Sequence, residues 1–303
     1  MVVSSYRLFI PNDFDKRWLE TTTPSAPTTE RDHFFMAQPP LLREGGDFAS
    51  PIRIRNLGQL CLFHRGELVM TSITGKTAIV TGAGRGIGRA IAVELAQAGV
   101  RVSLAARSRS QLEETANIIG SAASVFPTDV RDRGQVESLI EQTSSALGPI
   151  DILVNSAGLG IFGKVVDFTD ADFATLIDTN LRGTFYTCRA VLPSMINRKS
   201  GHIINIASIA GKVGSATRAI YCASKFGVVG FTESLAEEVR EYGIRASIIC
   251  PGSTDTGFSP GKQGKAHDKM LRPEDVAYAV RMIVTQEPNS FISEIIMRPT
   301  QKP

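Results

Sequence analysis

From residue 71 onward, short apolar segments rich in β-branched residues alternate with longer segments of helical periodicity. The first apolar segment is Thr77–Val80, and six further strand candidates follow at 101–105, 123–126, 150–155, 202–208, 244–250 and 293–297. Strands separated by helices of about ten or more residues imply right-handed crossovers and a parallel sheet covered on both faces. The sequence therefore predicts a single doubly wound, Rossmann-like α/β domain that binds its ligand at the carboxyl ends of the strands.

The composition fits a globular domain of this kind and argues against several other classes. The 303 residues are 43% hydrophobic and carry 33 basic and 30 acidic side chains, a near balance that gives no reason to expect nucleic acid as a partner. No apolar run approaches the roughly 20 residues that a membrane helix needs. The four cysteines lie far apart and the histidines are isolated, so neither a disulfide framework nor a metal site is expected. Reduced thiols are typical of a cytoplasmic protein.

Residues 1–70 differ in kind from the rest of the chain. They show no sustained period and contain turn-rich clusters such as Thr21–Pro27 and Gln38–Pro40. A secretory signal pattern is absent, and acidic residues in the first half argue against a transit peptide. Two interpretations stay open: a disordered extension, or translation that starts at Met70. Under both, residues 71–303 form the Rossmann-like domain.

A glycine-rich turn directly follows the first predicted strand. Its pattern is T-G-x-x-x-G-x-G and includes Gly82, Gly86 and Gly88, which differs from the commoner fingerprint G-x-G-x-x-G. Glycine permits positive φ and a close approach of the backbone to a pyrophosphate. The helix that follows offers free N–H groups to phosphates. We therefore expect Arg85, Ile87 and the three glycines to bind a dinucleotide.

The end of the second predicted strand indicates which dinucleotide is bound. NAD-binding proteins usually place an Asp or Glu there to hold the ribose hydroxyls, whereas residues 103–109 contain no acid. Arg107, together with Arg85 from the glycine-rich turn, could bind the 2′-phosphate through charge-assisted hydrogen bonds. The sequence thus predicts NADP(H) as the cofactor.

A tyrosine and a lysine, Tyr221 and Lys225, are four residues apart in a predicted helix, so their side chains share one face. A free phenol titrates near 10, and a neighbouring ammonium is expected to lower the pKa of Tyr221 towards the neutral range where acid–base catalysis operates. Alone, Y-x-x-x-K is a weak pattern. It is strengthened by Ser208, which lies at the end of a predicted strand, on the edge of the sheet where the ligand is expected.

Taken in chain order, these motifs make residues 74–299 resemble the short-chain dehydrogenase/reductase family. Further motifs that carry the resemblance are Asp129–Val130, Asn155–Gly158, Asn180 and Pro251–Gly252. The family usually has a second asparagine where this chain has Ser156, a change that we expect to be tolerated.

The resemblance implies a role for each matching residue. Tyr221 would donate a proton to the substrate carbonyl, which Ser208 would bind and polarise. Lys225 would hold the nicotinamide ribose and tune Tyr221, and Asn180 would order a water that relays protons to Lys225. The other cofactor contacts implied are Asp129 and Val130 at the adenine, Asn155 and Ala157 between the two ends of the cofactor, and Thr254 and Thr256 at the nicotinamide carboxamide after the Pro251–Gly252 turn.

The activity that the resemblance implies is NADP(H)-dependent interconversion of a carbonyl and a secondary alcohol on a small molecule, by a homodimer or homotetramer. Reduction of 3-oxoacyl thioesters is one candidate activity. Against it, residues 293–299 lack the Gly-Gly segment with which bacterial β-ketoacyl carrier-protein reductases normally end. The alternative is a catalytically weak NADP-binding sensor or scaffold. Because Asn180, Ser208, Tyr221 and Lys225 are all present, an enzyme is favoured.

Overall fold

The computed structural model describes residues 71–258 and 267–301; the predicted N-terminal extension lies outside them. Within these ranges seven parallel strands form one sheet in the order β3-β2-β1-β4-β5-β6-β7. The strands are β1 Thr77–Thr81, β2 Arg101–Ala106, β3 Ala123–Pro127, β4 Ile152–Asn155, β5 Gly201–Ile206, β6 Ile244–Pro251 and β7 Glu294–Met297. The helices are α1 Gly86–Gln97, α2 Arg109–Ile119, α3 Arg133–Leu147, α4 Asp170–Ile177, α5 Gly183–Arg198, α6 Ala219–Val239 and α7 Pro273–Val284.

The prediction of a doubly wound parallel sheet is confirmed, and each predicted strand begins and ends within two residues of an observed one. The sheet separates two apolar cores, because successive side chains of a strand point to opposite faces. In β1, Ala78 and Val80 pack in the core with α1, α2 and α7. Ile79, between them, packs in the core with α3, α5 and α6. This burial on both faces explains why the strands read as continuous apolar runs.

The strand order reverses at β1, which pairs with β2 on one side and β4 on the other. Crevices form at such a switch point, beyond the carboxyl ends of the strands. The chain segments that follow β1, β4, β5 and β6 all leave the sheet at this edge, since every strand is parallel. Motifs separated by more than one hundred residues in sequence therefore meet there.

Helices α4 and α5 are joined by one turn of π-helix, Asp178–Arg182, with the buried Asn180 inside it. Gly183 follows at the start of α5. A Cβ atom on Gly183 would lie 2.7 Å from Cγ2 of Val130, closer than real atoms approach. Gly183 is therefore required for close packing beneath the segment after β3.

We expect Gly183→Ala to lower the free energy of unfolding by about 1–3 kcal/mol, because overpacking a buried contact forces the backbone to shift. Gly134, in the first turn of α3, is the matched control, since a Cβ there would meet only Oδ1 of Asp132 at 3.4 Å. Gly134→Ala should raise stability by about 0.5–1 kcal/mol through helix propensity. Urea unfolding of both variants measures the difference, and equal effects would contradict the packing role of Gly183.

Candidate active site

The glycine-rich turn after β1 connects three segments of the site. Gly82 and Gly86 adopt φ of 68° and 55°, a left-handed conformation that disfavours other residues. A Cβ on Gly82 would lie 2.9 Å from Cα of Ala157, and one on Gly86 would lie 3.1 Å from Cβ of Thr256. A Cβ on Gly88 would overlap the carbonyl oxygen of Gly82. The missing side chains thus bring the segments after β1, β4 and β6 together.

Helix α1 begins without any side-chain cap. Arg85 occupies the N-cap position in extended conformation, and the first turn contains no acidic residue. The first N–H groups of a helix have no partner within the helix, and together with the helix dipole they form an anion-binding end. The open helix end and the glycine turn therefore fit a dinucleotide pyrophosphate.

The end of β2 carries arginine and no acid, as the NADP(H) prediction requires. Ala106 ends the strand and Arg107 follows, exposed to solvent, while Ser108 caps α2 by accepting a hydrogen bond from the Gln111 N–H. Neither Arg107 nor Arg85 forms an ion pair within the described ranges. Within those ranges, no carboxylate competes with a phosphate for either guanidinium group.

The segment after β3 places Asp129 and Val130 at the same edge of the sheet. The Arg131 guanidinium binds the Asp129 carboxylate at 2.6 Å, and this hydrogen bond lowers the pKa of Asp129 below its usual value, with smaller contributions from the charges of Arg131 and Arg107. Val130 is almost fully buried against Gly183. Their contact with adenine stays a prediction.

Asn155, predicted to line the cofactor, turns its side chain into the core. Its amide donates to Oδ1 of Asn205 at 2.9 Å and accepts from the Thr187 hydroxyl at 2.7 Å. Asn205 in turn donates to the Thr232 hydroxyl at 2.9 Å. Buried amides need such partners, and this network satisfies them beneath the site. The side chain of Asn155 is thus engaged beneath the site, and its contact with a cofactor stays a prediction.

Ser156 takes the place of the family's second asparagine without disturbing the turn. The backbone N–H groups of Ser156 and Ala157 both donate to the Thr81 hydroxyl at 3.1 Å. This contact ties the end of β4 to the end of β1, and it uses no side chain of residue 156.

Ser208, Tyr221 and Lys225 come together at the carboxyl end of β5. Ser208 follows the strand in extended conformation and caps a short 3-10 turn by accepting from the Ala210 N–H. Tyr221 and Lys225 project from the first two turns of α6 and are only 7% and 5% exposed. The Lys225 ammonium donates to the Ile206 carbonyl at 3.0 Å. Burial lowers the pKa of Lys225 to about 8.

The pKa of Tyr221 is raised above its usual value, opposite to the shift predicted from its lysine neighbour. Burial of the phenol is the largest cause, because desolvation disfavours the phenolate. A hydrogen bond with Ser208 and the charge of Arg218 oppose the shift but do not cancel it. Lys225 is directed at the Ile206 carbonyl rather than at the phenol. The phenol is therefore held protonated, the state that a proton donor needs.

The side chain of Asn180 connects the segment after β4 to α6. It accepts from the Leu159 N–H at 2.9 Å and donates to the Leu159 carbonyl and the Ser224 hydroxyl, each at 3.0 Å. A Cβ on Gly158 would lie 3.2 Å from Oδ1 of Asn180 and 3.5 Å from Nζ of Lys225. The two predicted relay residues thus face the same glycine.

The segment after β6 lies across the glycine turn. The Gly252 N–H donates to the Met297 carbonyl at 2.8 Å, which fixes the Pro251–Gly252 turn against β7. The Thr254 hydroxyl donates to the Gly252 carbonyl at 3.1 Å, and Thr256 contacts Gly86 as described above. Both threonines are therefore held beside the predicted cofactor groove.

Sequence reasoning missed the apolar surroundings of the phenol. The Phe162 ring meets the Tyr221 ring edge-on, with centroids 5.4 Å apart, and the Phe258 ring lies 6.1 Å away. The other apolar residues of this cluster are Leu159, Ile161, Phe168, Leu176, Ala210, Ile220 and Cys222. A run of apolar residues at 159–162, directly after Gly158, was the available signal. Within the described ranges, no three His, Cys, Asp or Glu side chains are placed to hold a metal ion.

Comparisons with known proteins identify the family of this chain. A profile of the short chain dehydrogenase family matches residues 76–266. An uncharacterized oxidoreductase of Staphylococcus aureus is 39% identical over 231 residues, which are 76% of this chain and 100% of that protein.

Two solved structures are similar over the same region. One is a metagenomic short-chain oxidoreductase in complex with NADP, which is 38% identical in sequence. The match covers 77% of this chain and 100% of that chain, with a TM-score of 0.68. The other is the closed form of serine dehydrogenase complexed with NADP⁺, which is 35% identical in sequence. The match covers 75% of this chain and 96% of that chain, with a TM-score of 0.70. With the motifs in place at the edge of the sheet, the chain belongs to the short-chain dehydrogenase family and is an oxidoreductase of that family.

Proposed function

We propose that the protein uses NADP(H) to interconvert a carbonyl and a secondary alcohol on a small molecule, with Tyr221 as the general acid and base. The observation that carries this proposal is the position of Ser208 and the buried Tyr221 and Lys225 at the same sheet edge as the open end of α1. Both similar structures were solved with NADP or NADP⁺, which supports the choice of cofactor.

Each residue of the site has a part in the reduction. The carbonyl oxygen accepts hydrogen bonds from the Ser208 and Tyr221 hydroxyls, which polarise the carbonyl and fix its orientation. When bound, NADPH supplies a hydride that forms the new C–H bond. The proton of the Tyr221 hydroxyl completes the O–H bond of the alcohol and leaves a phenolate. Lys225 returns a proton to that phenolate, with a water that Asn180 would order.

The test is NADPH oxidation by the purified full-length protein across a panel of ketones, aldehydes and 3-oxoacyl thioesters. Turnover of at least one carbonyl class supports an enzyme, and the panel identifies whether thioesters are among its substrates. Tight NADPH binding without turnover of any class would indicate a sensor or scaffold instead.

The pKa of Lys225 predicts an alkaline limit to activity. The ammonium is present below pH 8 and is lost as the pH rises through about 8, while the raised pKa of Tyr221 keeps the phenol protonated over that range. We therefore expect kcat/KM for NADPH, which reports the free enzyme, to fall above pH 8. Lys76→Gln, at the opposite edge of the sheet, should show the same fall in kcat/KM above pH 8. Lys225→Gln should have low activity at every pH and show no such fall. A flat profile in the wild type would contradict the assignment.

We also propose a homodimer or homotetramer, from the family resemblance, and a cytoplasmic location, from the widely spaced cysteines. No helix within the described residues is long and apolar enough to cross a membrane. Size-exclusion chromatography with light scattering measures the oligomeric state.

A further inference from the structure

A cation lies beside the catalytic phenol. Arg218 precedes α6, three residues before Tyr221, and its guanidinium carbon is 5.1 Å from the centroid of the Phe162 ring. That ring in turn packs edge-on against Tyr221. The Phe162 ring therefore packs against both a positive charge and the ring whose hydroxyl would protonate the substrate.

The backbone before Arg218 is held in an unusual conformation. Thr217 has a φ of 63°, which is rare for a β-branched residue and persists only where the surrounding structure holds it. Its carbonyl accepts a hydrogen bond from the Gly163 N–H at 2.9 Å. This bond joins the loop that carries Phe162 to the loop that carries Arg218. The contact between guanidinium and ring is thus built by two segments.

The guanidinium has no carboxylate partner in the described part of the chain. Of the ion pairs found there, none includes Arg218. The cluster that surrounds Tyr221, to which Phe162 belongs, is apolar and also includes Leu159, Ile161, Phe168, Ile220 and Phe258. Arg218 is half-buried at the edge of this cluster, and an anionic ligand bound beside Tyr221 could form an ion pair with it.

We propose that Arg218 binds a carboxylate of the substrate, so that the enzyme acts on hydroxy acids and the corresponding oxo acids with a short apolar chain. This inference rests on the proposed function, because the carbonyl must lie at Tyr221 while the carboxylate lies at Arg218. The planar guanidinium fork matches a carboxylate in a bidentate pair. One guanidinium balances the single negative charge of a carboxylate, whereas a phosphate would place a second charge beside the Phe162 ring. Arg218 is thus a specificity-determining residue.

The experiment compares acids with their neutral esters in the oxidation direction. We would measure kcat/KM with NADP⁺ for 3-hydroxybutanoate and 4-hydroxypentanoate, and for the methyl ester of each. The variants are Arg218→Gln, Arg218→Lys and Arg240→Gln. Arg240 is the matched control, since it follows the other end of α6, roughly 30 Å away at 1.5 Å per residue, and pairs with Glu237 on the surface.

We expect the wild type to prefer an acid over its ester. Arg218→Gln should lower kcat/KM for that acid about 10- to 150-fold, the range for a hydrogen bond to a charged group, and change the ester less than threefold. Arg218→Lys should restore part of the loss, and Arg240→Gln should match the wild type. The ester reports any general effect on Tyr221 or on folding, because it needs the same phenol but offers no carboxylate.

Two results would overturn the inference while leaving the proposed function in place. One is a wild type that turns over neutral alcohols but prefers no acid, a result that needs no variant to fold. The other is an equal loss for acid and ester in Arg218→Gln. A wild type that turns over neither the acids, the esters nor the carbonyl panel would instead overturn the proposed function, and this inference with it.

Discussion

Replacing Tyr221 with phenylalanine should lower kcat for carbonyl reduction by about 10²- to 10⁴-fold, the usual contribution of a positioned general acid. The ring remains, so the apolar packing against Phe162 and Phe258 is retained. Removal of the hydroxyl also relieves the cost of burying it, so the free energy of unfolding should change little. NADPH binding, measured by fluorescence titration, should stay close to that of the wild type.

Tyr242→Phe is the matched control for this experiment. Tyr242 follows α6 and lies next to Glu241, at the amino-terminal edge of β6 and far from the proposed site. The same atom is removed there, and turnover should not change. Near-normal kcat in Tyr221→Phe would exclude Tyr221 as the proton donor.

The second large effect concerns the choice between NADPH and NADH. The double substitution Ala106→Asp with Arg107→Leu should move the preference towards NADH. Loss of the guanidinium removes a charged hydrogen bond to the 2′-phosphate, about 1.5–3 kcal/mol or 10- to 150-fold in affinity. The new carboxylate repels that phosphate and accepts hydrogen bonds from the bare ribose hydroxyls. Arg107→Leu alone should weaken NADPH and leave NADH nearly unchanged.

The ratio of kcat/KM for the two cofactors, at low and high salt, is the measurement. Added salt should reduce the preference of the wild type for NADPH over NADH, because Arg107 is exposed and salt screens its charge. Arg101→Leu is the control: it removes an exposed arginine from the other end of β2 and should not change the ratio of kcat/KM for the two cofactors. A wild type that prefers NADH, or an Arg107→Leu variant that weakens both cofactors equally, would show that the 2′-phosphate is not bound here.

Burial shifts the pKa values of Tyr221 and Lys225 in opposite directions. The pKa of Tyr221 is raised in the protein because burial outweighs the neighbouring hydroxyl and the Arg218 charge, so the phenol begins a reduction as an acid. Its counterpart Lys225 is more easily deprotonated than a free lysine for the same reason. Burial thus makes the Lys225 ammonium a stronger acid than the phenol, which favours proton transfer from Lys225 to the phenolate that the reduction leaves.

Much of the architecture follows from patterns within single segments. The alternation of apolar runs with helical spacing predicted all seven strands, because strand and helix periodicity are local properties that burial on two faces makes visible. The glycine turn and the Tyr221–Lys225 spacing are local as well. A parallel sheet then places the carboxyl ends of all strands at one edge, so the motifs that follow these strands lie close together.

The details of the site depend on contacts between distant segments, which no local pattern contains. The Asn155 amide faces the core because Asn205 and Thr187, 50 and 32 residues away, supply its partners. The pKa of Tyr221 rises because loops after β4 and β6 cover it, and the spacing of a tyrosine and a lysine does not report burial. Arg218 lies over Phe162 because the Gly163–Thr217 hydrogen bond joins two loops. Residue type and spacing specify which groups are present, whereas their desolvation and pairing are set by the packing of the whole chain.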